Sequence, residues 1–438
     1  MLFENITILD ENLQVRENMF VGVKNGRITY IGELAPEEDF GERYAGRGRL
    51  LMSAFYNAHA HSPMSLMRGY GENMSLSAWL QERIFPFEEQ MNDHDIYYAT
   101  LLTMAESLRY GIVSSSESYF GVEAMTRAVL DSGAKSNMGR GMTCMDDSDM
   151  KNFQSFHEAQ RLWEDYHLAA DGRIRVDWCI HAEYTTTPKF VRQLAEHSAA
   201  IGSRIQLHMS ESRFEHEECK QRHQGLTPAQ YFDHLGVFAC PTLAAHCVWV
   251  EEADMEIMAE KGVAVACCPA SNMKLASGVC NTPGLLQYGI NVTLGTDSVA
   301  SNNNLDMIEE MKLFACLPKA FFLDPLAISS RQAIQAATGN GAQAQGREDC
   351  GSLKLGYRAD LIVLDFNQPH LRPVYDYADH VVYAASGSDV CLTMADGKVL
   401  YRDGIFMTID VEKAVAEVES SRNRIIKELA VKVKVNHG

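Results

Sequence analysis

Between residues 95 and 300 the apolar positions switch repeatedly between two patterns. One is the 3.6-residue spacing of an amphipathic helix, and the other is a short unbroken apolar run. Each helix-like stretch stops at a glycine and a strand-like run follows. "YYATLLTMAESLRYG" ends at Gly111 before "IVSSSESY", and "AMTRAVLDSG" ends at Gly133. "KFVRQLAEHSAAIG" ends at Gly202 before "SRIQLHMSE", "EEADMEIMAEKG" at Gly262 before "VAVACCP", and "TPGLLQYG" at Gly289 before "INVTLGTDS". Glycine suits the position after a helix because it takes a left-handed conformation without a Cβ penalty. "VDWCIHAE" (176–183) and "TLAAHCVW" read as further strands. Helices alternating with buried strands imply parallel βαβ units. At least six in succession predict an α/β fold, a closed (β/α)8 TIM-like barrel rather than an open sheet.

The flanks have another pattern. Residues 1–50 and 350–405 carry short strands joined by turn residues such as Asn25-Gly26. They predict one small β-sandwich domain built from both chain ends, with the barrel spanning 51–349. Residues 406–438 predict a C-terminal helix and tail; "VEKAVAEVESSRNRIIKELA" is amphipathic and should pack on the exterior.

Composition narrows the partners. A net charge of −19 argues against nucleic acid or an anionic membrane as partner. No apolar run approaches the roughly 18 residues of a membrane helix. The N-terminal stretch lacks the basic and apolar regions of a signal peptide. The 11 cysteines are scattered without a CxxC pair, which reads as free thiols in a reducing, cytoplasmic compartment rather than structural zinc. A homo-oligomer, dimer or tetramer, is expected.

Active sites of such barrels lie at the C-terminal ends of the strands. The first strand ends in His59 and His61, on one face because alternate strand residues share a face. "CIH" ends in His181, "IQLHMSE" in His208 with Glu211 three residues on, "TLAAH" in His246 and "VTLGTD" in Asp297. Alone, each has a plain reading: a packed core histidine, a helix cap at Asp297, a solvated first-turn carboxylate at Glu211. His157, His167, His197, His216 and His223 fall in helix-like segments and read as surface residues. Gathered at one mouth, the imidazoles and carboxylates need something cationic to pair them. Neutral imidazole and carboxylate suit zinc or iron with one position open for water.

"NAHAH", "HMSE", "AAHC" and "LGTDS", in this order, resemble the amidohydrolase superfamily in its one-metal branch. No lysine is found at the strand end that a carbamylated two-metal site would need. The resemblance implies that His59, His61, His208 and Asp297 ligate one divalent metal, Zn2+ first, with Fe2+ or Mn2+ as alternatives. It implies that Glu211 shuttles protons and that His246 polarises the attacking water and the developing oxyanion. Asp297 would also accept a proton as ammonia leaves. "HSPMSLMRGYGENMSLSAWLQERIFPFEEQM" and "PASNMKLASGVCNTPGLLQYGINVTLGTDSVASNNNLDMIEEM" resemble methylthioadenosine/S-adenosylhomocysteine deaminases, from about residue 5 to about residue 430.

By that resemblance Trp79 lines a nucleoside pocket, Glu88 binds the ribose 2′- and 3′-hydroxyls, His181 contacts the purine and Arg140 faces the 5′-substituent. The implied reaction is hydrolytic deamination of an adenine nucleoside: methylthioadenosine, S-adenosylhomocysteine, adenosine or 5′-deoxyadenosine. An aminohydrolase acting on guanine, a pterin or a triazine is the alternative. The chain departs from the family pattern at Ser53-Ala54, where Pro-Gly is usual, at Ser298, where glycine is usual, and in "HAEYTTT". A second 5′-side arginine has no clear equivalent; Lys151 is the nearest cation.

Overall fold

Eight parallel strands form the core of the fold: β1 (Phe55–Ala60), β2 (Ile112–Tyr119), β3 (Lys135–Met142), β4 (Ile174–Ile180), β5 (Ile205–Met209), β6 (Thr242–His246), β7 (Ala264–Cys267) and β8 (Val292–Leu294). Each pairs with its neighbours in chain order. The structure, a computed structural model, describes residues 1–74 and 76–436. Ser75, in the motif before Trp79, and the last two residues of the expected tail lie outside the described residues.

The strands are almost entirely buried and the helices between them end as their glycines require. Gly133, Gly202 and Gly262 cap three of these helices at φ of 82°, 69° and 67°. The seam between β8 and β1 is short. The Asp297 amide donates to the His59 carbonyl at 2.9 Å. The Asn57 side chain donates to Thr296 Oγ1 at 2.7 Å and accepts the Thr296 amide at 3.0 Å. Inside the lower barrel, Asp177 accepts from Asn137 at 3.0 Å and from Gln206 at 2.9 Å, so its buried carboxylate is paired.

The two chain ends meet in a nine-stranded mixed sheet. Strand Arg49–Ser53 sits at its centre, parallel to Leu2–Leu9 and antiparallel to Leu361–Asp365. Alternation gives the sheet two apolar faces. Leu51, Leu361 and Val363 join a core the sheet makes with itself, with Phe3, Val21 and Leu392. Leu50, Met52, Ile362 and Leu364 turn the other way and join the barrel's core. The helix Val411–Asn436 lies along Asp93–Arg109, held by an Arg424–Asp95 ion pair. Among the described residues, no helix is long and apolar enough to cross a membrane.

Where barrel and sheet join, the Lys135 ammonium is buried between Asp360 at 2.5 Å and Asp396 at 2.8 Å, and Tyr56 donates to Asp360. Burial alone would raise the Asp360 carboxyl, but Lys135 and these hydrogen bonds hold it below its ordinary range. Replacing Lys135 by Met leaves a buried carboxylate without its partner. The expected loss is about 3–5 kcal/mol, read from urea denaturation midpoints.

Candidate active site and metal centre

The sequence-selected histidines and carboxylates come together at the C-terminal mouth. His59 lies in β1 and His61 just beyond it; His208 lies in β5 and His246 ends β6. His181 follows β4, Glu211 lies in the turn after β5, and Asp297 is three residues past β8. Several of these turns are strained. Ser210, His246 and Asp297 have φ of 50°, 72° and 59°, left-handed values that non-glycine residues adopt at a cost. Gly295 is needed for close approach: a Cβ there would lie 2.7 Å from the His59 Cβ.

Four side chains converge. Asp297 Oδ1 is 3.7 Å from His59 Nε2 and 3.4 Å from His61 Nε2, and His61 and His208 bring their Nε2 atoms to 3.4 Å. One ring nitrogen from each of His59, His61 and His208 lies within 4.8 Å of the others. The outer nitrogens explain the orientation. His61 Nδ1 lies 2.6 Å from the Ser118 carbonyl and His208 Nδ1 2.7 Å from the His181 carbonyl. A carbonyl only accepts, so each Nδ1 carries the proton and each Nε2 turns a lone pair inward.

Burial, reinforced by neighbouring imidazoles, pushes His59 and His208 well below the usual histidine range. Burial would raise Asp297, but His59, His61 and His246 hold its carboxyl well below the usual carboxylate range. Its Oδ2 accepts from Ser271 at 2.6 Å and Ser301 at 3.0 Å, and its Oδ1 from the Ser298 amide at 2.7 Å. The buried His59 Nε2 makes no hydrogen bond. The inward lone pairs of His61 and His208, the orphaned buried nitrogen of His59 and one carboxylate fit a single divalent cation. Lys135 starts β3, at the opposite end of the barrel.

Beside this cluster stand His246 and Glu211, 3.9 Å apart. His246 Nδ1 meets Asn272 Oδ1 at 3.0 Å, which turns Nε2 towards the cluster. Burial lowers His246, but Glu211 and Asp297 outweigh it and raise the group. Burial raises the Glu211 carboxyl. Both residues line a cavity of about 300 Å³, within the size range of small-molecule sites.

Trp79, Glu88, Arg140 and His181 line the same cavity. Burial pushes the Glu88 carboxyl up to about 7, against the opposing pull of Tyr119, which donates to it, and of Arg140. His181 is lowered to about 4 by burial and by His61, and its Nδ1 lies 3.0 Å from Thr185 Oγ1. Arg140 is already paired: its Nε donates to Glu158 at 2.6 Å, and it also bonds the Gly141 carbonyl. Lys151 is exposed and lies outside the cavity lining.

Sequence reasoning missed several supporting groups. Ser271, Ser301, Tyr119 and Glu158 carry no pattern that marks them; only the place of Ser271 and Ser301 beyond strand ends, and of Tyr119 at the end of β2, could have drawn notice. His216 is a correction. It reads as a surface helix residue but is buried, with Nδ1 3.3 Å from Ser210 Oγ and Nε2 3.1 Å from Glu251. Its helix, Arg213–Arg222, packs inward against the loop after β5. His223 is also engaged, 2.6 Å from the buried Glu183.

An eight-stranded barrel with imidazoles and carboxylates gathered at its C-terminal mouth defines a class, the metal-dependent barrel hydrolases. The model of the amidohydrolase family matches residues 50–400, and the chain belongs to that family. It is 41% identical to a 5-methylthioadenosine/S-adenosylhomocysteine deaminase of Pelotomaculum thermopropionicum, over 88% of each chain. It is 37% identical to a 5′-deoxyadenosine deaminase of Methanosarcina mazei, over 93% of each. A solved adenosine deaminase from Xanthomonas campestris with bound zinc superposes with a TM-score of 0.90 at 28% identity, covering 97% of this chain and 98% of the other.

A ligand that binds only the folded state stabilises it by mass action. At a free zinc concentration 1,000 times Kd the gain is about 4 kcal/mol. Thermal melts with zinc and with chelator should show that gap for the native chain. His208→Ala should narrow it and lower bound metal below one equivalent.

Proposed function

We propose that this chain is a zinc-dependent hydrolase that deaminates an adenine nucleoside at C6, giving the inosine analogue and ammonia. The observation carrying this reading is that the histidine–carboxylate cluster, Glu211 and His246 open into the same cavity as Trp79 and Glu88. Such a cavity suits a planar base at one end and hydroxyls at the other. The relatives named above act on adenine nucleosides, and zinc is the ion in the solved neighbour.

His59, His61, His208 and Asp297 would hold the ion. When bound it supplies Lewis acidity, which brings a water molecule close to ionisation near neutral pH. Glu211 takes the proton of the attacking water and delivers it to N1 of the ring. Its pKa, raised by burial, suits a group that must both accept and give a proton. His246 hydrogen-bonds the oxygen adding to C6 and stabilises the charge that develops there. Asp297 takes the second proton, which leaves with the departing ammonia. Water and the nucleoside are consumed, and the C6–N bond is replaced by C6–O.

His181 is held neutral and can hydrogen-bond the purine. Glu88 receives the ribose hydroxyls and Trp79 covers the sugar and base. Arg140 is the one lysine or arginine among the described cavity-lining residues, and Glu158 already pairs with it. The reading therefore favours nucleosides with an uncharged 5′ end, such as adenosine, 5′-deoxyadenosine or methylthioadenosine, over S-adenosylhomocysteine. Ammonia release across these four substrates tests it, with kcat/KM for the charged one expected to be lowest.

Glu211→Gln should lower kcat by about 10²–10⁴-fold while bound metal stays at one equivalent. A near-normal rate in that variant would refute the proton-transfer role. A second test uses pH. Glu88 ionises near 7, so its carboxylate accepts ribose hydroxyls above that pH and loses this capacity as it protonates below it. KM for ribosides should rise as pH falls through about 7, and Glu88→Gln should flatten the dependence.

A further inference from the structure

"SRFE", Ser212 to Glu215, has the form of a helix capping box, in which the glutamate returns to the backbone N–H of the serine. The structure departs from that pattern. Ser212 Oγ does cap the helix, accepting the Glu215 amide at 3.2 Å. The Glu215 carboxylate instead reaches past the cap. Its Oε1 accepts the amide of Ser210 at 3.0 Å and its Oε2 the amide of Glu211 at 2.8 Å.

These two amides belong to the sharp turn that carries the chain from β5 into the helix, with Ser210 at φ 50°. Glu215 is buried and is not among the residues lining the cavity. A buried N–H without a partner is costly, so the carboxylate that satisfies both amides also fixes where the turn lies. The direction of the Glu211 side chain, facing His246, follows from that turn.

We propose that Glu215 is a positioning residue for catalysis, holding the Glu211 backbone so that its carboxylate meets both the attacking water and N1. The inference rests on the deaminase reading above. A carboxylate offers an acceptor to each amide. A glutamine offers one acceptor and turns its NH2 group towards the other N–H, which displaces the turn without removing volume. Displacements of about 1 Å in such groups cost about 10²-fold in rate.

The test is steady-state ammonia release with adenosine by the zinc-loaded full chain. Glu215→Gln should lower kcat by about 10–100-fold, with KM within about twofold of native and metal content unchanged. Glu215→Asp keeps both acceptors and should retain more kcat than Gln; the reverse order overturns the proposal. Ser212→Ala removes the cap alone, and should lower the melting temperature while leaving kcat unchanged. Combined with Glu211→Gln, the Glu215→Gln change should add no further loss, because residues acting through one another are non-additive. Native kcat in Glu215→Gln, or a full additional loss in the double variant, would refute the positioning role. If the native chain releases no ammonia from any nucleoside, the deaminase reading falls and this proposal with it. Equal rates in native and Glu215→Gln chains sink the positioning role alone.

Discussion

The amide of Asp297 donates to the carbonyl of His59, joining the last barrel strand to the first at the level of the site. The residues either side of this bond belong to the histidine–carboxylate cluster. Closing the barrel and assembling the cluster are therefore one event. Gly295 makes it possible, because any side chain there would collide with His59. Asn57, two residues below His59, fastens the same seam from its side chain. Movement of the seam would shift one carboxylate against two imidazoles, which is why the cluster lies on strand ends and not on long loops.

Around that seam the protein accepts local cost. Asp297 and His246 have left-handed backbone, and imidazole rings pack edge to face within a few ångströms of one another. Hydrogen bonds from serines and a backbone amide fix the carboxylate, and backbone carbonyls fix the rings. The support is local and short-range.

Much of this was legible in the chain. The alternation of helix, glycine and buried strand marked the barrel, because parallel strands are apolar on both faces and their helices need a stop signal. Histidines at strand ends stood out because polar side chains are costly in such runs. The supporting groups were not legible. Serines are common throughout the chain, and the bonds of Ser271 and Ser301 to Asp297 depend on the fold bringing positions 26 and 4 residues away back to it. His216 was misread because its helix packs inward on the loop after β5. Glu215 fits a capping box in sequence, and only the three-dimensional turn reveals a different pair of amides. The Arg140–Glu158 pair was hidden in the same way, since 18 residues separate the two.

The central strand of the small sheet has a consequence for how the chain is made. Arg49–Ser53 leaves the ribosome about 300 residues before its antiparallel partner Leu361–Asp365. At about 5–20 residues per second that is a wait of roughly 15–60 s. During that time Leu50, Leu51 and Met52 form an apolar strand with one edge unpaired, the kind of surface that recruits other strands. The whole barrel is synthesised within this interval, and that edge of Arg49–Ser53 stays without its partner until Leu361–Asp365 completes the sheet.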